Sequence, residues 1–131
     1  MNFLLDTNIC SAYLRDEPRV FNRFVQYGGT LAISTIVVGE LFVWVLRRGK
    51  DSLIFQGMEG LLGHLTVLPY DLACAARFGE VRLALFARGL ASSPVDLMIA
   101  ATALVHDLTL VTGNTHHFQH VPGLRLQNWL T

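Results

Sequence analysis

Hydrophobic and polar positions fall in blocks along the chain, and the blocks change period in a regular order. Phe3, Leu4 and Leu5 form an apolar run inside a strand expected over 2–6. Positions 7–15 and 17–27 carry helical spacing, broken near Pro18 and stopped by Gly28 and Gly29. A second strand is expected over 31–34, and a strongly apolar helix runs from Thr35 to about Arg48. Helix, strand and helix then repeat: 51–63 helical, 66–68 extended, 71–88 helical and closed by Gly89. Ser92-Ser93-Pro94 announces a helix to His106, Leu108 to Thr112 reads as a strand, and Leu124 to Leu126 as a last edge strand. Strands alternating with helices predict an α/β domain with a largely parallel sheet, and such sheets bind ligands beyond the carboxyl ends of their strands.

Composition changes the picture in three places. The 131 residues read as one domain, 1–131, long enough to bury about two-thirds of the surface of the unfolded chain. They are 52% hydrophobic, yet no run approaches the roughly 18 apolar residues of a membrane span, so the surplus is expected to form a partner surface. Asp6 and Asn8 interrupt any leader-like apolar run at the N-terminus, which predicts a cytoplasmic protein with Cys10 and Cys74 as reduced core thiols. Ten basic residues balance ten acidic ones, leaving no global attraction for nucleic acid. A polyanion would have to be held locally, and the densest basic run is Arg47, Arg48 and Lys50. The same run also reads as a solvated helix end whose cations favour the C-terminal dipole.

The candidate chemistry lies in four short segments. In FLLDTN, Asp6 ends the first strand and reads either as a helix N-cap or as a site carboxylate. In TIVVGELFVWVL, Glu40 is the only ionisable residue between Thr35 and Arg47, and a carboxylate on so apolar a helix is costly unless a cation or donors meet it. In SSPVDLMIAATAL, Ser93, Pro94 and Asp96 have the spacing of a capping box, which also places Asp96 at a helix N-terminus facing the strand ends. In LTLVTGNTHHF, Thr112 and Asn114 leave a strand at its carboxyl end, around what also reads as a Gly-Asn turn. Three carboxylates gathered at one place repel unless a counter-charge joins them, and a hard divalent cation such as Mg2+ supplies it. Such a site suits phosphodiester hydrolysis by metal-activated water.

The segments LLDTNICSAYL, AISTIVVGEL, SSPVDLMIAATAL and LVTGNTHHF, in this order, resemble the PIN-domain ribonucleases, and among them the VapC toxins of toxin–antitoxin pairs. The closing PGLRLQNW is similar to that group's C-terminus, so the likeness covers nearly the whole chain. The resemblance implies a three-layer PIN-like fold with a mostly parallel central sheet flanked by helices. It implies an endoribonuclease dependent on Mg2+, with Mn2+ as a substitute, acting on tRNA or another structured RNA. It also implies a homodimer, inhibited by a cognate VapB-type antitoxin within a hetero-oligomer. The acidic positions of the family fall on Asp6, Glu40 and Asp96, and its fourth position, often Asp, falls on Asn114. Thr7 and Thr112 match hydroxyl positions beside the metal, with Asn8 a supporting residue. Asn114 and Val95 depart from the common pattern: the neutral amide weakens a second metal site, and Val95 replaces a polar residue that bears on substrate contacts. Helices around 36–65 are expected to supply the dimer face and a groove for the antitoxin, and Arg47, Arg48 and Lys50 to steer RNA.

His116, His117 and His120 invite a zinc reading, but a surface turn explains them better, with one of them free to touch RNA phosphate. Trp44 and Trp129 read as core or interface aromatics. Two rivals remain open. A haloacid dehalogenase-like phosphotransferase also starts on a strand-borne Asp but needs a second acid where Asn8 stands, and a degenerate PIN module would only bind its antitoxin. No GxGxxG follows the first strand, which excludes a dinucleotide site.

Overall fold

The computed structural model describes residues 1–131. Five strands, β1 (Phe3–Leu5), β2 (Leu31–Ser34), β3 (Thr66–Leu68), β4 (Thr109–Val111) and β5 (Leu126–Gln127), form one sheet in the order β3-β2-β1-β4-β5. Every neighbouring pair is parallel, with Leu4 level with Ala32 on one side and Leu110 on the other. The inner strands are buried on both faces, which is why FLL and LAIS are unbroken apolar runs with no alternation.

Six helices connect the strands: α1 (Thr7–Leu14) and α2 (Pro18–Tyr27), α3 (Thr35–Arg48) and α4 (Leu53–Gly63), then α5 (Leu72–Ala87) and α6 (Pro94–Val105). Right-handed crossovers place the first four on one face of the sheet and the last two on the other. The packing agrees, since α1 meets α2, α3 and α4 while α5 meets α6. Helix starts follow their caps: Ser34, Ser52 and Asp71 each accept a bond from a first-turn amide. Beyond α5, Gly89 turns left-handed at φ +70°.

Two expectations change. The last strand lies over Leu126–Gln127 and not 124–126, because Gly123 at φ +76° and the Leu124 amide bonded to the Val121 carbonyl hold the preceding residues in a turn. The capping box at α6 does not form. Ser93 and Pro94 occupy the expected N-cap and first-turn places, but the Ser93 hydroxyl makes no cap bond and the Asp96 carboxylate turns instead toward His117.

The core is one cluster of 30 buried residues. The C-terminal segment closes it: Trp129 is 2% exposed and lies stacked on Tyr27 and edge-on to Phe3. Cys10 and Cys74 are free thiols and buried.

Candidate active site

The chain builds outward from β1 to β2 to β3, then crosses over to β4 and β5 on the opposite side of β1. The strand order therefore reverses between β1 and β4, and a crevice opens there at the carboxyl ends. Asp6 is the residue after β1, and Thr112 is the residue after β4. The topology alone brings these two residues together from 106 positions apart.

Asp6 is 6% exposed. Its Oδ1 accepts the Thr7 amide at 2.8 Å and its Oδ2 accepts the Thr112 hydroxyl at 2.8 Å. The residue that caps α1 is thus also the carboxylate held at the strand ends. Thr112 Oγ1 in turn accepts the Asn114 amide at 3.0 Å, so the chain leaving β4 fixes the hydroxyl that fixes Asp6. A second tie runs beside the first: the Gly113 amide donates to Asn8 Oδ1 at 2.9 Å. A β-carbon at Gly113 would stand 2.9 Å from Leu130 Cδ1, so a side chain there would displace the end of Leu130. Asn8 occupies the place where the phosphotransferase reading needs an acid, and its amide oxygen is engaged with this backbone.

Glu40 corrects an expectation. Its helix is apolar, but Glu40 itself is exposed, and so are its neighbours Phe42, Val43 and Leu46. The cost of burying a carboxylate therefore does not arise. The Thr7 hydroxyl donates to Glu40 Oε1 at 2.5 Å and holds it toward the end of β1. Asp96 is half-buried, at the start of α6 where α6 meets α3, and its Oδ2 lies 3.5 Å from His117 Nδ1.

The three acids form an electrostatic series. Burial pushes the Asp6 carboxyl above its ordinary value, the bonds from Thr112 and Thr7 pull it down, and the Asp96 charge pushes it up again. Burial also raises Asp96, against the pull of His117 and with a further push from Glu40. No three acid, histidine or cysteine side chains converge closely enough to ring one ion as they stand. Mutual repulsion of like charges favours that spacing. The donors are nonetheless all oxygens, and two of the acids are penalised as bare anions, the combination a hard cation relieves. Asn114 is exposed and joins the site through its backbone.

Arg47, Arg48 and Lys50 are exposed at the end of α3. Arg47 lies seven residues after Glu40, two helical turns or about 10 Å along the same face. The Arg48 guanidinium sits 5.3 Å from the Trp44 ring centre. The histidines lie in the surface turn that the sequence reading expected. His116, His117 and His120 follow β4 in and after a 3-10 turn and share with Ser92, Ser93 and Asp96 a cleft of about 310 Å³. The available signal was positional: they follow the strand whose end already carries Thr112.

A PIN domain family model matches residues 3–124. The chain belongs to the PIN-domain family. It is 35% identical over 130 residues to the tRNA(fMet)-specific endonuclease VapC of Shigella flexneri, with 98% of each chain covered. It is 33% identical to Ribonuclease VapC2 of Rickettsia felis, again over 98% of each. Among solved structures, VapBC2 from Rickettsia felis bound to a DNA fragment from its promoter superposes with TM-score 0.90 at 31% identity, covering 98% of this chain and 99% of that one. DNA-bound VapBC from Salmonella typhimurium gives TM-score 0.88 at 32% identity over 98% of both chains. The reversal of strand order in this PIN domain thus belongs to a shared framework. No helix of it is long and apolar enough to cross a membrane.

Proposed function

We propose that this PIN domain is the ribonuclease of a cytoplasmic toxin–antitoxin pair, hydrolysing RNA phosphodiesters with the help of Mg2+ or Mn2+. The observation that carries the reading is Asp6, buried at the strand-order reversal and fixed from two sides by Thr7 and Thr112. Full-length similarity to VapC ribonucleases supports the reaction class. Asp6 and Asp96 would hold the cation, with Glu40 reaching it directly or through water. When bound, the cation lowers the pKa of a water and offsets charge building on the phosphoryl oxygens.

The residues of the chain do the positioning. Thr112 keeps one Asp6 oxygen directed by donating to it, Thr7 ties Glu40 to the same edge, and Asn8 binds the end of β1 to the segment after β4. Asn114 supplies a neutral side chain where an acid would add charge, which favours a single ion. Arg47, Arg48 and Lys50 line a path for RNA leading from Glu40 along α3.

The VapBC complexes among the structural relatives support a VapB-type antitoxin as partner, assembled with the toxin in a hetero-oligomer. The exposed apolar side chains of α3 and α4, Phe42, Val43, Leu46 and Leu53, suit a homodimer contact with antitoxin packed nearby.

The test is cleavage of total tRNA and of a structured RNA with and without chelator. Activity should vanish in EDTA and return with Mg2+ or Mn2+. Equal rates in EDTA would reject the metal mechanism, and no cleavage of any RNA with either ion would favour a module that only binds its antitoxin.

A further inference from the structure

The cleft beside Asp96 has a lining unlike the other surface hollows of the molecule. The hollow between α1 and α2 is walled by Phe21, Phe24, Val25 and Leu31, whereas this one has a single apolar residue, Ala91, among seven. Its remaining walls carry hydroxyl, imidazole and carboxylate groups. The Ser93 hydroxyl is free of the cap bond its position would allow. His116 and His120 are exposed, and the His116 ring meets the His117 ring edge to face at 4.3 Å between centres. His117 spans from this cleft to Asp96. Arg88 Nη1 donates to the His120 carbonyl at 3.5 Å, which puts a permanent cation next to the His120 backbone.

We infer that this cleft is a phosphate subsite for the RNA strand, holding the phosphodiester next to the one cleaved, with His116, His120, Ser93 and Arg88 as its donors. The inference rests on the ribonuclease reading above and adds to it where the strand lies. A phosphate has only acceptor oxygens, so it needs donors that are not already spent within the protein. Here hydroxyl and imidazole donors line one polar hollow with Asp96, and the Arg88 guanidinium stands next to the His120 backbone. The acids at the strand ends cannot themselves hold a neighbouring phosphate, because like charges repel. An imidazole and hydroxyl wall beyond Asp96 receives the strand where the carboxylates stop. Asp96 lines the same cleft, and His117 Nδ1, 3.5 Å from its Oδ2, is the wall group set against that carboxylate.

The subsite shares no residue with the basic end of α3, so the two surfaces can be separated experimentally. The probe is a fluorescein-labelled single-stranded RNA decamer, titrated by anisotropy against the full chain with Ca2+ replacing Mg2+. His116→Ala with His120→Ala should weaken binding about tenfold, the scale of losing one or two bonds to a charged group. His116→Gln with His120→Gln, which keeps an N–H donor at each position, should retain most of the affinity. Arg88→Ala should lower the salt slope by about 0.7, the loss of one single-strand phosphate contact, while Arg23→Ala on α2 leaves it unchanged. In cleavage assays the alanine pair should raise KM by a larger factor than it lowers kcat. Wild-type affinity in the alanine pair overturns the subsite while leaving the nuclease reading intact. A wild-type chain that neither binds nor cleaves RNA overturns both. Since all three histidines are exposed, melting temperatures should match wild type. If the alanine pair melts early, the exposed Arg88 decides in its place: a salt slope unchanged in Arg88→Ala overturns the subsite.

Discussion

The edge where β1 and β4 end and the outer face of α3 differ in how they are held. At the edge, Asp6, Thr112, Asn8 and Gly113 are joined by short bonds between segments more than a hundred residues apart, and nearly every polar atom has its partner within the chain. On α3, Glu40, Val43, Leu46 and Arg47 are exposed, and a single hydroxyl from Thr7 engages Glu40. The first region is finished by folding. The second is left open by folding, and under the proposed function it is finished by a cation and RNA at one end and another protein surface along the apolar stripe. A nuclease paired with an inhibitor needs both, since preorganised acids fix the chemistry and an open face leaves activity under a partner's control.

The largest effect should come from the edge. Asp96→Asn should lower RNA cleavage by at least about a hundredfold by removing a charge that faces the cation. The metal-free variant should melt at the same or a higher temperature, because burial makes ionised Asp96 unfavourable. The pH dependence follows in sign. A carboxyl raised in the folded state costs stability at neutral pH, a cost complete above its folded pKa and gone below its ordinary value of 3.8. The melting advantage of Asp96→Asn over wild type, measured without metal, should therefore shrink as pH falls from 7 toward that value. Near-normal cleavage by the variant would leave Asp6 and Glu40 to hold the ion alone.

On α3, Val43→Asp should weaken self-association by on the order of 3 kcal/mol, the scale of an unpaired charge in a buried contact. Light scattering should return a dimer mass for wild type and a monomer mass for the variant. A wild-type monomer at tens of micromolar, well above the dissociation constant of a working dimer, would reassign the stripe to the antitoxin alone.

A smaller loss is expected back at the edge. Gly113→Ala sets a methyl 2.9 Å from Leu130 Cδ1 and should cost about 1–3 kcal/mol, as overpacking does. A melting curve reads this directly, and an unchanged midpoint would mean that the C-terminal segment gives way without strain.

The smallest effect separates the two regions by charge. Neutralising Arg47, Arg48 and Lys50 together should flatten the salt dependence of RNA binding by about 0.7 per lost phosphate contact, with melting little changed because all three are exposed. An unchanged slope would move the RNA path entirely to the histidine side.

The sequence by itself determined the element order, the helix starts and the four segments that carry the candidate site residues. Those features depend on local signals: apolar runs for doubly covered strands, Ser and Asp caps, and glycines where the chain turns left-handed. The cap reading of Asp6 holds, because its Oδ1 accepts the Thr7 amide while Oδ2 remains for the Thr112 hydroxyl. What the sequence misjudged were the environments of Glu40 and Asp96. An apolar helix can bury its stripe in the core or offer it to solvent, and only the packing of α3 against α1, α4 and α6 showed that Glu40 stands outside. A capping box and an ion pair compete for the same carboxylate, and the competitor, His117, lies 21 residues away in sequence and 3.5 Å away in space. The bonds that fix the site, Thr112 to Asp6 and Gly113 to Asn8, arise from the reversal of strand order between β1 and β4. Strand order is set by how crossovers pack helices onto a sheet, a cooperative choice of the whole chain, and no short stretch of residues encodes it.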